Sequence, residues 1–120
     1  MKIKIAQALA LIFAVMGFAH VVATFHPLFA GKFESLPAEQ YAEFTYISIV
    51  FGLFHILCGA VLFFILPKIH QDIFLKRLYA AIIIALLVDG IVAAIFMRHD
   101  PSALSLIFLL TPLSVLSCKK

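Results

Sequence analysis

Among the polar side chains that stand inside apolar sequence in this chain are His20, His55, Asp89 and Thr111. Neutral imidazoles are good axial ligands for haem iron, and imidazole with carboxylate also suits zinc or another transition metal. The metal-ligand candidates are therefore His20, His55 and Asp89. A carboxylate within a membrane can also be the titrating group of a proton pathway. More plainly, such groups can hydrogen-bond one helix to the next. The two histidines share a local pattern. Residues 15–20 read VMGFAH and residues 50–55 read VFGLFH, so Gly17 and Gly52 each lie one helical turn before a histidine. A glycine there leaves space beside the imidazole, and the candidate ligand-binding set is His20, His55, Asp89, Gly17, Gly52 and Thr111.

The elements that must position these residues follow from composition. Of 120 residues, 65% are hydrophobic and only 12% charged, too little polarity to cover a soluble domain of this size. Four apolar runs, at about 5–25, 45–66, 74–97 and 102–118, serve as transmembrane helices, three of them reaching the ~20 residues that cross a bilayer. The expected fold is all-α, one domain over 1–120, an integral membrane four-helix bundle of up-down-up-down topology. The first run continues past the small-residue pattern at Val21 and Ala23, which favours an uncleaved helix over a secretory signal. Between the runs, Pro67 closes the second helix and Asp72 caps the third. Asp100-Pro101 opens the fourth, and Ser35-Leu36-Pro37-Ala38-Glu39 reads as an early start for the second, projecting from the membrane.

Basic residues set the orientation. Seven of the nine, Lys2, Lys4, Lys68, Lys76, Arg77, Lys119 and Lys120, fall on one side of this topology, leaving Lys32 and Arg98 on the other. Both termini are then cytoplasmic, as in a bacterial inner membrane protein. With the helices aligned, His20 lies ~7 Å outward of mid-span, His55 at it, and Asp89 ~5 Å beyond it. Thr111, directly before Pro112, lies near the centre of the fourth run. On the third helix, Ala81, Ala85, Asp89 and Ala93 recur every four residues and suggest a small-residue face for a close neighbour.

Several function classes are excluded or disfavoured. The basic residues form no patch interleaved with aromatics, which argues against nucleic-acid binding. No phosphate-binding Gly loop, H-E-x-x-H, Gly-x-Ser-x-Gly or C-x-x-C motif is present, so no enzyme signature is evident. Cys58, three residues after His55, is either a soft ligand or a small buried hydrophobe. The leading expectation is a membrane protein binding a small hydrophobic or cofactor-like ligand, haem or a metal, among its helices. The alternatives are a small proton-coupled transporter and a non-catalytic accessory subunit of a larger complex. The bilayer is the expected partner, with a homodimer or larger membrane complex through Gly90-x-x-x-Ala94.

Overall fold

The computed structural model describes residues 2–27, 31 and 35–96. Within them the chain is all-α, with three helices: α1 (Lys2–Thr24), α2 (Ala38–Ile65) and α3 (Ile73–Phe96). All three are long and apolar enough to cross a membrane. The fourth expected span, 102–118, lies outside the described residues, and Thr111 and Pro112 with it. The described residues thus show three helices, running up, down and up, and not the expected four-helix bundle.

Local chemistry fixes the helix ends. Pro37 occupies the N-cap of α2, and its carbonyl accepts from the Tyr41 N–H at 3.0 Å. Residues 38–44 are all exposed, with Glu39 in the first turn, so two turns of α2 precede its apolar part. At 28 residues α2 is ~42 Å long, more than ~30 Å of hydrocarbon needs. Asp72 caps α3, its Oδ1 accepting from the Phe74 N–H at 2.7 Å. At the other end of α2 the chain tightens into a short 3₁₀ turn, Leu66–Lys68. Pro67 has no N–H to give to the carbonyl of Phe63, four residues back. Gln7 of α1 supplies the missing donor, Nε2 to the Phe63 carbonyl at 3.1 Å.

Most buried helix positions follow one period. They are Ala6, Ala10, Phe13 and Gly17 on α1, Gly52, His55, Gly59 and Leu62 on α2, and Tyr79, Ile83, Leu86, Gly90 and Ala93 on α3, with Cys58 and Ile65 of α2 buried beside this row. Steps alternating between three and four residues average 3.5, the repeat of helices that coil gently around one another in a left-handed sense. This period corrects the expected alanine face of α3. Steps of four drift ~40° each round a helix of 3.6 residues per turn, so Ala81 and Ala93 stand ~120° apart. Ala81 and Ala85 are in fact exposed and only Ala93 is buried. Bulky Tyr79, Ile83 and Leu86 meet the core instead, and Asp89 sits at the edge of that face beside buried Gly90.

Helices α1 and α2 run antiparallel and almost touch. A Cβ built on Gly17 would lie 2.7 Å from the Gly52 carbonyl oxygen and 2.8 Å from the His55 Cβ. One built on Gly59 would lie 2.7 Å from both the Ala10 oxygen and the Ala14 nitrogen. Gly52 and Gly59 are one heptad apart, as are Ala10 and Gly17. The two small-residue rows face each other and bring backbone against backbone. The apolar core, which includes Phe13, Leu62, Leu66 and Leu86, fills the half of the bundle that holds the α2–α3 turn.

Candidate functional site

Above that core the interior turns polar, in two separate places. The deeper is formed by His55 of α2 and Asp89 of α3. His55 is 3% exposed and walled by the rings of Phe13, Phe51 and Phe54, with centroids 4.9, 4.3 and 5.7 Å away. Its Nδ1 donates to the Phe51 carbonyl at 2.7 Å. A carbonyl only accepts, so Nδ1 carries a hydrogen. Nε2 faces Asp89 Oδ2 at 3.2 Å, within ion-pair distance. Both atoms are buried, and neither has the alignment of a proper hydrogen bond.

The proton count at this contact follows from the tautomer. With Nδ1 protonated, Nε2 of a neutral ring presents a lone pair. Were Asp89 ionised as well, lone pair and carboxylate would confront each other in an apolar interior. Were both groups protonated, two donors would meet. One proton between Nε2 and Oδ2 resolves either conflict, as imidazolium with carboxylate or as imidazole with carboxylic acid.

The second polar place lies nearer the end of α1. Thr24 Oγ1 donates to the His20 carbonyl at 3.0 Å, the Thr24 and Ser48 hydroxyls are 2.7 Å apart, and Ser48 Oγ is 3.0 Å from His20 Nε2. Directions again follow by elimination. The Thr24 hydroxyl gives its hydrogen to the carbonyl, so it accepts from Ser48. Ser48 has then used its hydrogen and accepts from His20, whose Nε2 is protonated. The two Gly-x-x-His repeats thus hold their imidazoles through different ring nitrogens, His55 by Nδ1 and His20 by Nε2.

Sequence spacing explains why these groups do not merge. Ser48, Phe51 and His55 succeed one another on one face of α2 at steps of three and four. The Phe51 ring lies against both imidazoles, 5.6 Å from His20 and 4.3 Å from His55. Of the sequence-derived candidates, then, His55 and Asp89 come together, and His20 joins Ser48 and Thr24 beyond Phe51. The space at Gly17 is taken by the α2 backbone and the His55 Cβ, and that at Gly52 by the Val21 side chain and the Gly17 carbonyl of α1. Cys58 is buried and free, one turn along α2 from His55. Among the described residues no three His, Cys, Asp or Glu side chains gather as a metal site would need. Ser48 and Phe51 are the residues that sequence reasoning passed over. Their signal was register, since Ser48 precedes His55 by one heptad and so shares its face.

Comparison with protein-family models, with curated proteins and with solved structures returns no match for this chain.

Proposed function

We propose that this chain is a small integral membrane protein whose working group is the His55–Asp89 pair, the proton-holding station of a proton pathway. The observation that supports this most is the His55 Nδ1 bond to the Phe51 carbonyl, which leaves a single proton to be shared across the 3.2 Å contact. A carboxylate near mid-bilayer costs about 2.5–3.5 kcal/mol on insertion scales, a cost more readily retained for function than for packing. Haem or a bare metal draws less support. The glycine spaces are filled by the neighbouring helix, and no third donor joins the pair among the described residues. In this reading the end bearing Lys4, Lys68, Lys76 and Arg77 faces the cytoplasm, and His20 lies toward the outside.

Proton movement through vesicles containing the purified protein tests the proposal. With a pH-sensitive dye inside, valinomycin present to balance charge and acid added outside, the parent is expected to acidify the lumen faster than protein-free vesicles. Asp89→Asn, which cannot exchange a proton, is expected to fall back to the protein-free rate, and His55→Gln likewise. A parent no faster than empty vesicles, or an Asp89→Asn variant as fast as the parent, would remove the proposal.

A further inference from the structure

The polar groups around the proton-holding pair are distributed unequally. Toward the end holding the α2–α3 turn, the interior holds Phe13, whose ring lies against His55, then Leu62 and Leu86, all 1% exposed or less, with Cys58 the adjacent thiol. Among the described residues the next polar side chains in that direction on α1 and α3 are Gln7 and Tyr79. From Phe13 to Gln7 is ~9 Å along α1, and from Asp89 to Tyr79 is ~15 Å along α3. Toward the other end the interval is far shorter. A single ring, that of Phe51, touches the His55 imidazole on one side and the His20 imidazole on the other. Beyond it the hydrogen-bonded sequence His20, Ser48, Thr24 reaches the last residue of α1, and the residues that follow, Phe25 to Pro27, are exposed.

We infer that Phe51 is a gate, the side chain that lies, among the described residues, between a polar station at His20, Ser48 and Thr24 and the buried imidazole of His55, which faces the partly buried Asp89. The inference rests on the pair's being the working group, and adds the side from which it is reached and the residue that closes it. Phe51 suits the task because its two halves do different work. Its carbonyl fixes the His55 tautomer through a helical backbone that stays in place. Its ring turns only about side-chain bonds, so it can swing aside without disturbing that hydrogen bond. A water or hydronium admitted past the ring then meets Nε2 and Oδ2, where the proton is exchanged. Closing the ring again covers the His55 imidazole, which is 3% exposed in this structure. His20, with Nε2 committed to Ser48, is held in one orientation at the outer side of the gate.

Exchange of the imidazole Cε1 hydrogen with deuterated water, read by mass spectrometry on peptides that separate the two histidines, tests this directly. It requires no proton flux and so stands or falls apart from the vesicle experiment. In the detergent-purified parent, His20 is expected to exchange and His55 to stay protected. Phe51→Ala is expected to bring His55 to a rate comparable with that of His20, whereas Phe51→Leu, which refills most of the space, keeps it protected. Equal exchange at the two histidines in the parent would overturn the gate even if Phe51→Ala failed to fold. So would a folded Phe51→Ala protein whose His55 stays protected. Loss of flux in Asp89→Asn with no response of His55 to Phe51→Ala would leave the proton station standing and remove the gate alone.

Discussion

Replacing Asp89 by Asn is expected to leave the protein as stable in mild detergent as its parent, while leucine at either member of the pair is not tolerated so well. The side-chain amide introduced by Asp89→Asn could donate to the lone pair of His55 Nε2, so every buried group keeps a partner. Asp89→Leu removes that partner and strands a desolvated acceptor, at a cost of about 1–3 kcal/mol. His55→Leu is the harsher change. It leaves a carboxylate oxygen buried without its counterpart, and breaking a buried pair in this way costs about 3–5 kcal/mol. Thermal unfolding of the three variants side by side reads the order directly. Equal stabilities for all three would mean that the two side chains do not meet across the α2–α3 contact.

A comparable loss is expected at the α1–α2 contact. Gly17→Leu forces a side chain into a space where even a Cβ would lie 2.7 Å from the Gly52 carbonyl oxygen. Backbone cannot swing away as a side chain can, so the two helices must separate along their length. Overpacking a well-filled interior costs about 1–3 kcal/mol, and separating two long helices places this change at the upper end or beyond it. Ala19→Leu, two residues further on an exposed face of the same helix, is the control and is expected to be neutral. Unfolding in a graded denaturing detergent should distinguish the two. Equal behaviour would show that α1 and α2 do not approach through their glycines.

Much of this arrangement was legible in the residues. The apolar runs gave three helices near their observed limits, Pro37 and Asp72 marked two of the starts, and residue counting put His55 and Asp89 at similar depth. Direction around each helix was harder to read. The four-residue alanine repeat on α3 pointed to a face that the 3.5-residue packing period carries out of the core. The glycines beside the histidines signalled space, but sequence cannot tell space for a ligand from space for a neighbouring helix. Partners distant along the chain were equally hidden. Gln7 answers a carbonyl freed by Pro67, and Ser48 receives His20, and nothing local to Gln7 or Ser48 announces it.

The central claim is that His55 is protonated at Nδ1 and shares one further proton with Asp89. Nitrogen NMR of the protein labelled with ¹⁵N-histidine, with His55 assigned through its loss in His55→Gln, measures this most directly. An Nδ1 bearing its own hydrogen is expected, with an Nε2 that is either protonated or accepting a strong hydrogen bond and whose signal moves in Asp89→Asn. A bare Nδ1, with the ring's only hydrogen on Nε2, would contradict it.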